Sequence, residues 1–457
     1  MNFTIRKAAV LGAGVMGAQI AAHLANADVP VLLFDLAGPQ GDGNRVVNKA
    51  LAGLKKLQPA PVVKRDRLQY IDAANYDEHL EQLRDCDLII EAIAERMDWK
   101  NALYAKIGPF LSSTAIIASN TSGLSIAALA DGLPEALRGN FCGIHFFNPP
   151  RYMPLVEIVP TPSSDAAMLD CLETWLTTRL GKGVIRALDT PNFVANRIGV
   201  FSLLTVMHHA AAFGLAPDTV DALTGPKIGR PKSATYRTGD VVGLDTLAHV
   251  VATMHGALPN DPWHAYFALP AWLQGLIEKG ALGQKSKAGV FRKQGKAIQV
   301  FDPALGDYRD SRDEVAVEVA AMLGMSDPAA RLQALRTSSH PQAQFLWAIF
   351  RDLFHYCAVQ LGEVADNARD LDLALRWGFG WAQGPFELWQ AAGWRDTAEA
   401  IAADLAAGKT LSAAPLPAWV TAPGRSGVHA AQGSWSVRQN AYVPRSTLPV
   451  YQRQLFP

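Results

Sequence analysis

The chain has 457 residues, of which 49% are hydrophobic and 18% charged, the composition of a folded globular protein too long for one core, so several domains are expected. Lysine plus arginine equal aspartate plus glutamate at 42 each, which excludes the basic field that nucleic acid or an anionic membrane would select. Four cysteines, Cys86, Cys142, Cys171 and Cys357, lie far apart without metal or CxxC spacing, which reads as buried thiols in a reducing compartment, and no apolar run approaches the roughly 20 residues of a membrane span.

In chain order, the first apolar run covers residues 8–11. It begins so near the N-terminus that no signal or transit peptide is expected, and the cytoplasm is the expected compartment. It breaks into Gly12-Ala13-Gly14-Val15-Met16-Gly17, continues as an alanine-rich helix to Ala27, and returns to an apolar run at 31–34. That is strand, turn, helix, strand. In such a unit Gly12 allows the tight turn, Gly14 lets backbone approach a pyrophosphate, and Gly17 lets helix pack on strand, while the helix N-terminus offers unpaired N–H groups to the phosphates. Asp35, 18 positions past Gly17 at the tip of the second strand, can accept both hydroxyls of an adenosine ribose and repel a 2′-phosphate, so the expected cofactor is NAD rather than NADP.

A glycine-rich loop at 38–43 precedes a helix over 44–57 bearing Lys49, Lys55 and Lys56. A solvated helix face explains such lysines, and contact with a phosphate-rich substrate is the alternative. Residues 87–93, DLIIEAI, form a strand buried on both faces of a parallel sheet, followed by Glu95 and, one turn into the next helix, Lys100. Residues 114–119 repeat the pattern and deliver Asn120-Thr121-Ser122 to the carboxyl end of the sheet, where ligands of open α/β sheets collect. Strands follow at 141–147, 155–159 and 184–188.

From Asp189 strands vanish. DTPNFVANR, residues 189–197, leads into a long apolar helix to about Phe213, with further helices to about Leu282 and a basic terminal loop at 285–296. A polar connector is expected over 302–341, then a strong amphipathic helix at 345–362 and a glycine-rich WGFGWAQGPFELW at 377–389. Asp218, Asp221 and Gly225 of the first helical region are echoed by Asp370, Asp372 and the glycines after them, about 150 residues on, which reads as an internal duplication of a helical unit. The last stretch carries little periodicity.

The residues that could do chemistry are His145, within GIHFFNPP, and Glu157, twelve positions later in the next strand after a proline-rich reversal. A carboxylate bonded to one ring nitrogen fixes the tautomer and stabilises the imidazolium formed when the other nitrogen takes a proton. A dehydrogenase oxidising an alcohol needs such a base as the carbon's hydride moves to nicotinamide. No Cys/His cluster offers a metal instead. Ser122 and Asn196 could hydrogen-bond the substrate's oxygens, and helix capping is the alternative for each.

GAGVMG, SNTS, HFFNPP with LVEIV, and DTPNFVANRIG, in this order and spacing, resemble the L-3-hydroxyacyl-CoA dehydrogenases of fatty-acid β-oxidation. The match spans about residues 5–250, and the duplication with GPFELW extends it to about 395, similar to the long bacterial proteins that join this dehydrogenase to an enoyl-CoA hydratase. The resemblance implies that His145 is the base, Glu157 its partner, and Ser122 and Asn196 the groups on the reacting oxygens. It further implies that Glu95 and Lys100 lie along the NAD site and that Lys55 meets the CoA phosphates of an acyl-CoA thioester. In the first helical copy GRPKSATYRTGDVVGLD, residues 229–245, replaces the family's usual GPFEL segment. A hydratase domain is not expected.

The expected fold class is α/β plus all-α, an N-terminal Rossmann dinucleotide-binding domain followed by duplicated helical domains. The expected divisions are an NAD-binding domain at 1–188, a first helical domain at 189–297, a linker at 298–341, a second helical repeat at 342–400 and an irregular tail at 401–457. The subunit arrangement is either a homodimer or a pseudo-dimer within one chain. Two other readings remain open, a dehydrogenase of a free hydroxy acid or sugar acid and a non-catalytic NAD-binding relative.

Overall fold

The computed structural model describes residues 5–39, 41–312 and 314–452. They divide into two compact units, one running to Phe193 and resuming at Arg445, the other Val194–Pro444.

The first unit contains β1 (Ala8–Leu11), α1 (Val15–Asn26), β2 (Val31–Asp35), α2 (Arg45–Leu54), β3 (Ile71–Asn75), β4 (Leu88–Glu91), α3 (Met97–Ile107), β5 (Ile116–Ser119), α4 (Ile126–Ala130), β6 (Phe141–Phe146), β7 (Leu155–Pro160), α5 (Ala166–Arg179) and β8 (Gly183–Arg186). Its eight strands lie in the order β3-β2-β1-β4-β5-β6-β7-β8. All neighbours are parallel except β6 and β7. Strands β1, β4, β5 and β6 are buried at every residue, because helices cover both faces of such a sheet and only apolar runs tolerate that. The chain order reverses at β1, which has β2 on one side and β4 on the other, so a crevice opens at the carboxyl ends there.

The antiparallel pair β6–β7 is joined by Phe147-Asn148-Pro149-Pro150-Arg151-Tyr152-Met153-Pro154. Buried Lys182 holds this reversal by donating to the carbonyl oxygens of Pro150 and, at 2.8 Å, Met153. Burial lowers its pKa to about 8. Strand β3 was not among the expected strands: Ile-Asp-Ala-Ala-Asn offers only one large apolar side chain to signal it.

The second unit contains α6 (Ala195–Ala212), α7 (Pro217–Thr224), α8 (Tyr236–Val242), α9 (Leu244–Ala257), α10 (Ala271–Glu278), β9 (Phe291–Gln294), β10 (Ala297–Asp302), β11 (Asp307–Asp310), α11 (Val317–Leu323), α12 (Pro328–Thr337), α13 (Pro341–Gln360), α14 (Ala368–Gly378), α15 (Pro385–Ala391), α16 (Trp394–Ala406), β12 (His429–Ala430), β13 (Gly433–Ser436) and β14 (Ala441–Val443). Helices α6 and α13 pack on each other. Asp221 of α7 accepts the backbone N–H groups of Thr235, Tyr236 and Arg237 at 3.1, 2.7 and 2.9 Å where α8 begins. Asp372 of α14 accepts those of Phe386 and Glu387 at 2.8 and 3.0 Å where α15 begins. Both sets keep one offset of 151 positions, so the same device starts the same helix in each copy.

Three stretches differ from the sequence reading. The expected basic loop at 285–296 contains β9, tied down by Asp240, which accepts the N–H groups of Val290 and Phe291 at 2.8 Å each. The expected linker at 298–341 is ordered as β10, β11, α11 and α12, with Arg309 bridging Asp302 and Asp218 at 2.6 and 2.8 Å. The expected irregular tail carries the end of α16 and the three-stranded sheet β12-β13-β14. There His429 lies 2.7 Å from Asp372. Tyr451, in the first unit, donates to Glu173 at 2.6 Å, and residues 453–457 of that expected tail lie outside the described residues. These strands are two to six residues long and mostly polar, so their composition reads as polar loop.

Candidate active site

The first unit ends at Phe193 rather than at residue 188, and the reason lies in the site. Asp189 accepts the N–H groups of Ile126 and Ala127 at 2.8 and 2.9 Å and the Ser125 hydroxyl at 2.9 Å, holding the start of α4. Phe193 then sets its ring edge-on to His145, 5.5 Å between centroids, with Phe147 on His145 at 4.5 Å.

Two of the three glycines in the turn are required by their surroundings. Gly12 has φ +107°, and a Cβ there would sit 2.7 Å from the Ala92 carbonyl oxygen. A Cβ at Gly17 would collide with the Gly12 carbonyl oxygen, whereas one at Gly14 would meet nothing within 4 Å. Gly14 is the N-cap of α1 and provides no side-chain cap, so the first-turn N–H groups and the open space over Gly14 form a cradle suited to a pyrophosphate. Asp35 ends β2, and its two oxygens accept the N–H groups of Ala13 and Leu36 at 2.7 Å each. Each retains a lone pair for a ribose hydroxyl.

His145 and Glu157 are direct partners in the antiparallel register of β6 and β7, so both side chains stand on one face. His145 Nδ1 lies 2.6 Å from Glu157 Oε2, and His145 Nε2 lies 3.1 Å from Ser122 Oγ. Glu157 is fully buried and His145 is 3% exposed. An ionised carboxylate only accepts, so Nδ1 carries the proton and Nε2 presents its lone pair. The cap of α4 is Ser125, whose hydroxyl accepts the Ala128 N–H at 3.2 Å, which leaves Ser122 to the histidine. Asn120 accepts the Phe146 N–H at 2.9 Å and ties the Ser122 turn to the end of β6.

Glu95 orients the same turn: one oxygen accepts Thr121 Oγ1 at 2.5 Å, Ser122 N at 2.8 Å and Gly123 N at 3.0 Å. Lys100 is the second residue expected along the NAD site. It is fully buried, 2.6 Å from Glu91 and 3.8 Å from Glu95. Glu91 also accepts Ser119 Oγ at 2.6 Å, Tyr104 OH at 3.1 Å and Ile93 N at 2.7 Å. Sequence reasoning passed over Glu91, although an acid inside the apolar run DLIIEAI was the available signal, since a buried carboxylate needs partners.

Lys55 is exposed at the C-terminal end of α2. Asn196 belongs to the second unit, as the second residue of α6, whose N-cap is Val194. Cys86, Cys142 and Cys357 are buried free thiols, but Cys171 is only half-buried. Among the described residues no cluster of three or more His, Cys, Asp or Glu is arranged to hold a metal ion, and no helix is long and apolar enough to cross a membrane.

Residues 7–190 match the family "3-hydroxyacyl-CoA dehydrogenase, NAD binding domain" and residues 193–293 match "3-hydroxyacyl-CoA dehydrogenase, C-terminal domain". A "Probable 3-hydroxyacyl-CoA dehydrogenase" of Bacillus subtilis is 39% identical over 416 residues, which cover 88% of this chain and 53% of that protein. One of the same name from Deinococcus radiodurans is 42% identical over 290 residues, covering 63% of this chain and 83% of that protein. The chain thus spans about half the length of the Bacillus relative. Among solved structures, FadB2 of M. tuberculosis matches with a TM-score of 0.53 and 30% identity, covering 64% of this chain and all of that one. The 3-hydroxybutyryl-CoA dehydrogenase of Escherichia coli shares the fold with a TM-score of 0.66 over 89% of this chain and 95% of that one, at 22% identity.

Proposed function

The chain belongs to the 3-hydroxyacyl-CoA dehydrogenase family, and from that premise we propose that it oxidises an L-3-hydroxyacyl-CoA to the 3-ketoacyl-CoA with NAD, the dehydrogenase step of fatty-acid β-oxidation. The observation that carries this reading is His145, backed by Glu157 at 2.6 Å and facing Ser122 at 3.1 Å, at the carboxyl end of a sheet whose first turn is a phosphate cradle.

In this reading Gly12, Gly14 and Gly17 shape the turn that takes the pyrophosphate, and Asp35 takes the adenosine ribose and disfavours a 2′-phosphate. Bound NAD supplies the hydride acceptor. His145 Nε2 takes the proton of the substrate's 3-hydroxyl, Glu157 stabilises the resulting imidazolium, and Ser122 holds the reacting oxygen in line. Glu95, with Lys100 behind it, is a positioning residue that keeps the Ser122 turn in place. The motif alone assigns Asn196 to the same oxygen and Lys55 to the CoA phosphates. The phenyl rings of Phe147 and Phe193 against His145 limit its rotation and exclude water from the proton-transfer path. We read the paired helical repeats as a pseudo-dimer within one chain and the cytoplasm as its compartment.

The deciding experiment follows NADH consumption with acetoacetyl-CoA and, separately, with free acetoacetate. Turnover of the thioester alone is expected. Equal turnover of the free acid would replace the reading by a hydroxy-acid dehydrogenase, and NAD binding without turnover of either would make the protein a non-catalytic relative.

A further inference from the structure

We propose that the helical unit carries a second ligand site, in which Arg230, Lys227 and Arg331 bind the phosphate of a small organic phosphate ester whose apolar body lies on Phe350 and Leu388. All five residues line one cavity of about 240 Å³, together with Trp381.

Arg230 is 7% exposed, and its guanidinium lies over the Trp381 ring, 4.6 Å from the centroid. Its Nη1 is buried without a hydrogen-bond partner among the described residues. The other buried arginines of this unit are paired with acids: Arg197 with Asp261 at 2.7 Å and Arg351 with Asp352 at 2.8 Å. Arg230 has no ion pair among the described residues, and none of the residues around the cavity is acidic. Burial lowers its pKa only to about 10, so it stays charged at neutral pH. A guanidinium taken out of water needs a counter-charge, and an uncompensated one is held there at a cost that a bound anion would remove. Among the described residues the Arg331 guanidinium has only a long contact to the Met325 carbonyl oxygen at 3.5 Å, and Lys227 is exposed.

Three cations around one cavity match a dianion better than a single carboxylate, and the planar arginine fork suits phosphate geometry. The volume would hold about eight waters at roughly 30 Å³ each, more than a bare phosphate fills, and the lining beyond the cations is mostly apolar, with Phe350, Leu353 and Leu388, and carries one neutral polar side chain, Gln383. The ligand is therefore an ester with an apolar part. This site lies wholly within the second unit and does not depend on the dehydrogenase reading.

The test is calorimetric titration of the full chain, with NAD present to occupy the glycine turn, using phenyl phosphate, inorganic phosphate and phenylacetate at one ionic strength. Phenyl phosphate is expected to saturate one site at least about tenfold more tightly than the other two, the scale of one charge-assisted hydrogen bond. Arg230→Gln should weaken it by about tenfold or more. Because it removes an unpaired buried charge, the same substitution should leave the melting temperature of the unliganded protein unchanged or raised. Lys227→Ala with Arg331→Ala, at less buried positions, should weaken phenyl phosphate several-fold and flatten the salt dependence. Absence of saturable binding, equal affinity in Arg230→Gln, or phenylacetate or inorganic phosphate binding as tightly as the ester would each overturn the proposal.

Discussion

Replacing Glu157 with glutamine tests the site most directly, because the change keeps the side-chain size while it removes the charge and offers an amide in place of one carboxylate oxygen. The carboxylate sits 2.6 Å from His145 Nδ1 with both groups buried, so the lost interaction is a charge-assisted hydrogen bond worth about 1.5–3 kcal/mol. At about 1.4 kcal/mol per decade that alone lowers turnover by about 10- to 100-fold. A second effect adds to it. The glutamine amide nitrogen can donate to Nδ1, which moves the ring proton to Nε2, the atom that must accept the substrate's proton; reversal of a catalytic histidine's tautomer costs up to about 10⁴-fold in comparable His–carboxylate pairs. The expected outcome is a kcat for 3-hydroxybutyryl-CoA oxidation reduced by about 10² or more, read from NADH absorbance, with KM within about threefold because Glu157 does not touch substrate. Thermal melting should fall by at most a few degrees, since the same bond is lost from the folded protein. A kcat within about threefold of the parent, or a loss confined to KM, would refute the assignment of the pair.

Three further outcomes follow from named contacts. His145→Gln should retain NAD binding, measured by fluorescence titration, while turnover falls by at least about 10², the usual scale for a lost general base; unchanged turnover removes His145 from the mechanism. Asp35→Ser should shift the NAD-to-NADP ratio of kcat/KM toward NADP by about tenfold or more, since a carboxylate facing a phosphate is strongly unfavourable, and a constant ratio removes Asp35 from cofactor choice. His23 is buried, and burial, reinforced by the Lys182 and Arg151 charges, lowers its pKa from 6.5 to about 3 despite the opposing Leu180 backbone. The unfolded ring binds its proton first, so the stability tied to His23 is complete above pH 6.5 and is lost as pH falls toward 3. At pH 5 the loss is about 2 kcal/mol. His23→Leu should flatten the denaturant-midpoint curve between pH 6.5 and 4, and an unaltered slope counts against the buried neutral ring.

The parts of this fold that composition made legible are those buried on all sides. β1, β4, β5 and β6 are unbroken apolar runs, and α6 and α13 are long helices with most residues buried, so periodicity alone marks them. The His145–Glu157 pairing was legible because two strands joined by a proline reversal must bring residues near their facing ends together. What stayed hidden depends on distant partners. Glu91 gathers Lys100 and Tyr104 from α3 and Ser119 from β5, and nothing in either segment shows that convergence. The hairpin β9–β10–β11 takes its order from Asp240 and from the Arg309 bridges, while its own residues alternate too briefly to stand out.

Within the duplication, the cavity is lined by equivalent loops of both repeats. Gly229 and Gly380, at equivalent positions, both adopt left-handed backbone with φ +76° and +67°, and their loops pair: the Ala382 N–H donates to the Gly229 carbonyl oxygen at 2.8 Å, and a Cβ on Gly380 would lie 3.2 Å from Pro231. Two copies of one chain meeting about a twofold axis would place identical residues at these positions, either two arginines repelling each other or two tryptophans. Covalent linkage of the repeats lifts that constraint. Arg230 stands where the second copy has Trp381, the cation lies over the ring at 4.6 Å, and the contact becomes attractive. Breaking the symmetry in this way leaves one buried guanidinium, and Lys227 and Arg331 line the same cavity beside it.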